Sequence, residues 1–190
     1  MSRDLGDSES GQESSASATA GEPQMRNPVF THRALRNKLG QFPTGVCVVT
    51  ARAPGGGTHR PDHQLVRPSL AGAAAGVLDL SERSASLDVF RACRHFGISV
   101  LPRSQEAVAR RFADPGIADK FNGVATRRAF AGIRLIEGAV ATFVCEAYRA
   151  WPVGDHLLLV GKVLQIDGGD DEPLVFHQGR FLSMRLTQMA

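Results

Sequence analysis

Four short stretches hold side chains whose types and spacing could do chemistry. Gly154-Asp155-His156 places an imidazole, a group that titrates near neutrality, on a turn. His177, Gly179, Arg180 and Phe181 bring an imidazole, a guanidinium and an aromatic ring together within one short segment. Asp119-Lys120-Phe121 adds an ammonium beside a second ring. Pro43-Thr44-Gly45 offers a glycine, which would let the backbone approach a ligand closely. Cations of this kind suit a phosphate, so one reading is a groove for a phosphorylated small molecule. Each stretch also has a plainer use: a helix-to-strand turn at Gly45, a solvated Lys120, a strand-end His156 and a surface ion pair at Arg180.

Several other chemistries have no support. No Gly-x-Gly-x-x-Gly follows a strand, and "PGGGTH" lacks the Lys-Ser/Thr that a phosphate-cradling loop requires. The His and Cys residues form no Cys-x-x-Cys or His-Glu-x-x-His pair, so no metal site is expected. A Gly-x-Ser-x-Gly elbow for nucleophilic serine catalysis is also missing.

These groups must be positioned by a chain of 190 residues, the size of one domain with a tail. Net charge is +3, with arginines scattered rather than clustered, which gives nucleic acid little to bind. One Trp and one Tyr leave few stacking surfaces for a single strand. No apolar run approaches bilayer length, and the start has no signal core, so the cytoplasm is the expected compartment. Cys47, Cys93 and Cys145 each lie among apolar residues and are expected as buried free thiols.

Residues 1–28 are rich in Ser, Gly, Ala and acids, which predicts a disordered tail before a domain spanning 29–190. A helix is predicted from Thr31, its N-cap, to Phe42, with Leu35, Leu39 and Phe42 on one side. A β-branched strand follows at Gly45–Ala51. Further helices are expected at Leu87–Phe96 and at Arg103–Asp114, the second opened by Ser104. Gly97–Leu101 reads as a short strand. Ile133–Gly168 reads as antiparallel strands joined through "WPVGDH", and Pro173–Met184 as a last apolar segment broken by a Gly turn. Many short strands with few helices predict a mainly β, α+β small barrel rather than a parallel sheet.

Seven pieces in order, "LGQFPTGVCVVTA", "SLDVFRACRHFGISVL", "QEAVARRFA", "DKFNGV", "GAVATFVCEAY", "GDHLLLVGKV" and "PLVFHQGRF", resemble the flavin reductase domain of two-component monooxygenases. The resemblance runs from Phe30 to Leu182. It implies an FMN-binding split β-barrel, a homodimer, FMN or FAD as cofactor, NADH or NADPH as hydride donor, and a partner flavin-dependent monooxygenase. It implies that His156 lies near the nicotinamide as the catalytic residue. Cofactor contacts would come from Pro43, Thr44, Gly45, Ser84, Ser86, Lys120, Phe121, His177, Arg180 and Phe181. A hydride must pass between two flat rings, so the protein's part is apolar walls, pyrimidine-edge donors and phosphate donors. A non-catalytic flavin- or haem-binding module on the same scaffold is the alternative.

One stretch departs from the family. Where its members resemble "T-x-N-S-F-x-S-x-S-L-x-P-P-x-V", this chain has "DHQLVRPSLAGAAAGVLDL", Asp62–Leu80. Read one base later, the codons permit Thr-Ile-Asn-Ser-Phe-Gly-Arg-Leu-Ser-Leu-Ala-Pro-Pro-Arg-Val-Phe-Trp-Ile. A pair of compensating frameshifts, near 59–61 and 80–82, explains this; a natural insertion loop is the alternative. As written, the segment shows no strand alternation. The expectation is a barrel short of one strand, weak FMN binding, or an inactive copy.

Overall fold

The computed structural model describes residues 29–52, 66–68 and 75–183. The tail predicted over 1–28 and most of the 59–82 segment lie outside the described residues. The elements in order are α1 (His32–Leu39), β1 (Thr44–Gly45), β2 (Cys47–Ala51), β3 (Val66–Pro68), β4 (Ala75–Ser81), α2 (Leu87–Ala92) and β5 (His95–Val100). They continue through α3 (Glu106–Ala113), β6 (Thr126–Arg128), β7 (Arg134–Ile136), β8 (Ala141–Val153), β9 (His156–Gly168), β10 (Leu174–His177) and β11 (Arg180–Ser183).

A six-stranded antiparallel sheet runs β2-β5-β8-β9-β4-β3, beside a three-stranded sheet β1-β10-β11 and a two-stranded pair β6-β7. The larger sheet wraps one core built from Val49, Leu78, Leu80, Phe90, Phe96, Ile98, Cys145, Leu157 and Leu159. A second core, with Val48, Leu101, Ala109, Phe112, Ile136 and Leu174, lies under α3. This is the mainly β architecture with peripheral helices that the strand spacing predicts.

Strand β4 corrects one expectation. The barrel does have a strand at the altered segment: Ala75–Ser81 pairs with β9 over seven residues, from Ala75↔Lys162 to Ser81↔His156. The alternation is present but thin, with Gly76, Leu78 and Leu80 inward and Asp79 exposed. Leu78 and Leu80 are enough to anchor the register, because a one-residue slip would put both in water.

Other boundaries differ from the sequence reading. Helix α2 ends at Ala92, since Cys93 is extended (ψ 138°) and β5 already begins at His95. The inward alternation of Phe96 and Ile98 outweighs local helix preference there. Ser104 lies in a 3₁₀ turn, Arg103–Gln105, and α3 starts after it. Trp151-Pro152-Val153 belongs to β8, so the β8–β9 turn is only Gly154-Asp155. Thr31 does cap α1, its hydroxyl accepting from the Ala34 N–H at 3.2 Å, yet Leu35, Leu39 and Phe42 remain exposed.

Gly97 in β5 has a packing reason. A Cβ there would come within 2.6 Å of Ile133 Cγ2 and Leu135 Cδ2, so the residue's bareness lets β7 lie against the sheet.

Candidate functional site

The small sheet gathers several of the expected residues. Thr44 pairs with Phe176, and Phe176 pairs with Phe181, which sets a hydroxyl and two rings in one row on one face. The Phe176 and Phe181 rings meet edge-on, 5.3 Å between centroids. At 39% exposure, Phe176 shows much of its ring to solvent. Gly45 ends β1, and a Cβ there would meet nothing within 4 Å among the described residues. Neither a positive φ nor a close neighbour among the described residues demands glycine there, and its pairing with Val175 puts it on the face opposite the Thr44–Phe176 row.

His177 and Arg180 face each other across the two-residue turn Gln178-Gly179, whose φ angles are +49° and +78°. Two successive left-handed residues make the primed hairpin that matches strand twist, and glycine supplies one of them without strain. Gln178 is fastened to the end of α1: its N–H donates to the Gly40 carbonyl at 3.0 Å, and its side-chain amide donates to Gln41 Oε1 at 2.9 Å. The turn presenting His177 and Arg180 is thereby tied to the chain entering Pro43-Thr44-Gly45.

Lys120 and Phe121 stand beneath this sheet, against α3. Phe121 packs on the second core together with Phe181, and meets Phe112 edge-on at 5.4 Å. Arg134 lies over its ring, 4.3 Å from the centroid. Lys120 is only 6% exposed, with its ammonium donating to the carbonyls of Arg111 and Asp114. Arg111 returns the contact through the Asp119 and Lys120 carbonyls, both at 3.0 Å. The lysine therefore caps the end of α3, where a cation is favoured, rather than opening onto the row.

His156 belongs to a different group, at the β8–β9 turn. Its Nδ1 lies 2.8 Å from Asp155 Oδ1, and that hydrogen bond holds the Asp155 carboxyl below its usual range. Ser81 is its partner across β4, and the Glu82 N–H donates to the Asp155 carbonyl at 2.9 Å. Ser84 and Ser86 follow. The Ser84 hydroxyl accepts from the Ser86 N–H at 3.1 Å, and Ser86 is buried at the start of α2.

The remaining reactive groups are quiet. Burial pushes the thiols of Cys47 and Cys93 up to about 11 and that of Cys145 to about 12, so none supplies a thiolate at neutral pH. All three are free and buried, as their apolar surroundings predict. A hollow at the base of β8 and β9 is lined by Arg127, Thr142 and Asp167, but these satisfy one another at 2.7 and 3.1 Å. No group of residues that could hold a metal ion occurs among the described residues.

Phe176, Arg110 and Gln178 were not singled out from sequence. The signal was available in "FHQGRF": a two-residue turn at Gln-Gly forces the two Phe residues into register. What the arrangement offers is a hydroxyl and an aromatic row on one face of the small sheet, with His177 and Arg180 paired at its turn end on the other. That set suits a flat, phosphate-bearing heterocycle, and the scaffold is that of a split β-barrel binding protein.

Comparison with known proteins gives the family. The flavin reductase-like domain matches residues 39–185. The actinorhodin polyketide dimerase of Streptomyces coelicolor is 34% identical over 152 residues, covering 79% of this chain and 85% of that one. The reductase component of the Rhodococcus opacus 4-nitrophenol 4-monooxygenase/4-nitrocatechol 2-monooxygenase is 33% identical, covering 77% and 78%. Among solved structures, the NADH:FAD oxidoreductase SgcE6 of Streptomyces globisporus superposes with a TM-score of 0.74 at 30% identity, covering 87% of this chain and 99% of that one. The chain belongs to the flavin reductase-like domain family.

Proposed function

We propose that this chain transfers hydride from NADH or NADPH to FMN or FAD and delivers the reduced flavin to a partner monooxygenase. The observation that carries this is the row Thr44–Phe176–Phe181 on one face of the small sheet, with the His177–Arg180 pair at the turn end of the same hairpin. The flavin supplies the two-electron acceptor, and the protein supplies binding and orientation. In this reading the Thr44 hydroxyl and the backbone at Pro43-Thr44-Gly45 meet the pyrimidine edge. The Phe rings wall one side, and Arg180 with His177 holds the phosphate. His156, steadied by Asp155, orients the nicotinamide, with Ser84 and Ser86 shaping the turn beside it. Lys120 and Phe121 support the row from below. The monooxygenase partner and the nicotinamide donor are drawn from relatives whose names state them. Consumption of NADH and of NADPH with each flavin tests the proposal; oxidation of neither, with either flavin, overturns it.

A second reading keeps the scaffold and drops the reductase activity. One relative of equal similarity is named a dimerase rather than a reductase, and fold alone does not fix chemistry. Flavin binding without nicotinamide consumption is its signature.

The protein acts as a homodimer in the cytoplasm, where its reductant is found. No described helix is long and apolar enough to cross a membrane. Support for pairing comes from the outer half of the β8–β9 hairpin. Past Ala147, whose N–H donates to the Arg94 carbonyl, β8 has no strand partner on its other edge among the described residues, and Trp151, Val153, Leu158, Val160 and Val77 share the outward face. Trp151 and Val153 are 43% and 57% exposed. Light scattering of the wild type and Trp151→Glu tests this: a dimer that the charge dissociates is expected, and a monomeric wild type refutes it.

The 59–82 segment is a product of two compensating frameshifts. The shifted codons permit Val at Gly76 and Ile at Asp79. A Cβ at Gly76 would meet Ile98 Cδ1 at 3.4 Å and Cys145 Sγ at 3.7 Å, ordinary van der Waals contacts. Asp79 stands on the apolar outer face opposite Leu158, where Ile would extend the row. The fully buried Leu78 has no room for Trp, but the shifted codon permits Leu as well. Sequencing the locus decides: codons for 62–80 that cannot spell the motif one base later eliminate the frameshift.

A further inference from the structure

We infer that Arg110 is a positioning residue for the flavin site, acting through Phe181 on the exposed ring of Phe176. This rests on the flavin-reductase reading above. Arg110 lies on α3, outside the small sheet, yet its guanidinium sits over the Phe181 ring, 4.8 Å from the centroid. The guanidinium is itself held. Its Nε and Nη2 both donate to Glu106 Oε1, at 2.8 and 2.6 Å, one helical turn earlier.

The contacts form an unbroken series: Glu106 fixes Arg110, Arg110 lies over the Phe181 ring, and that ring meets Phe176 edge-on. Phe176 is the member that reaches solvent, beside Thr44. An exposed phenyl ring left to itself samples rotamers and must be immobilised when a flat ligand stacks on it. A ring fixed beforehand spares the ligand that ordering cost, and tighter binding follows without any new contact. A planar, permanently charged guanidinium suits this place, since it stacks on an aromatic face as an ammonium cannot. As an exposed i,i+4 ion pair alone, Glu106–Arg110 would contribute little and could lie anywhere along α3.

The test is a titration of FMN by flavin fluorescence together with steady-state NADH oxidation, on the wild type, Arg110→Ala, Arg110→Lys, Phe181→Leu and the Arg110→Ala/Phe181→Leu double variant. Arg110→Ala is expected to weaken FMN about fivefold, in Kd and in KM, with kcat within about twofold, and Arg110→Lys to recover only part of the loss. In the Phe181→Leu background, Arg110→Ala should add nothing, because its effect passes through that ring. Glu106→Gln, which leaves α3 intact, gives a smaller loss in the same direction and serves if Arg110→Ala does not fold. Wild-type affinity in Arg110→Ala, or an undiminished loss in the Phe181→Leu background, overturns the inference alone. A wild type that neither binds FMN nor oxidises NADH overturns the functional reading, and this inference with it.

Discussion

Gln178 donates its side-chain amide to Gln41 Oε1 at 2.9 Å while its backbone sits at φ +49°, a left-handed conformation that glycine adopts far more easily. The residue spends conformational strain to tie the His177–Arg180 turn to the segment entering Thr44. Such strain persists only where surrounding bonds enforce it.

Gln178→Ala keeps the strain and the N–H bond to Gly40 but removes the side-chain bond to Gln41, so it should destabilise the protein by about 1 kcal/mol, a fall of roughly 3 °C in Tm. Gln178→Gly loses the same side-chain bond but relieves the strain, so its Tm should remain near wild type. Both should weaken flavin binding alike. Thermal melts and flavin titrations of the pair check this; unequal flavin affinities would show that the tie does not set the site.

Lys120→Ala should be costly for another reason. It leaves the Arg111 and Asp114 carbonyls at the end of α3 without their buried donor, a loss of about 2 kcal/mol measurable in urea denaturation. A midpoint equal to wild type would contradict the capping role and return Lys120 to the phosphate side.

Much of this was open to sequence reading, and the failures have local causes. The β8–β9 pair was visible because its apolar residues recur over a long stretch, but "WPV" reads as a loop from its Pro and lies instead on an edge strand, where a missing N–H costs nothing. Lys120 could not be placed: a lysine that caps a helix looks the same in sequence as one that binds phosphate. Strand β4 was missed because Gly76 and Asp79 blur its alternation, and its existence depends on β9 offering a ladder seven residues long.

That thinness gives a third expectation. Gly76→Val should stabilise the chain by about 1 kcal/mol, since it adds strand propensity and fills inward space against Ile98 and Cys145. A lower Tm in the variant would mean that this space is closed.

The Asp155–His156 contact predicts a pH dependence. Because the folded-state pKa of Asp155 is lowered, its stabilisation is present above the ordinary carboxylate range and lost as the pH falls through the folded pKa. The Tm difference between wild type and Asp155→Asn should be present at about pH 5 and shrink below about pH 4. His156→Ala should lower kcat/KM for NADH about tenfold, with FMN affinity kept. A loss confined to FMN affinity would place His156 on the wrong ring.

The central claim is that one surface of this protein holds a flavin where a reduced nicotinamide can reach it. Anaerobic mixing of the protein with NADH and FMN, followed by the yellow flavin absorbance, tests that most directly. The account predicts that the colour bleaches with NADH consumed in equal amount, and that Arg180→Ala slows the bleaching. Colour that persists at every NADH and NADPH concentration, with correctly folded protein, would contradict it.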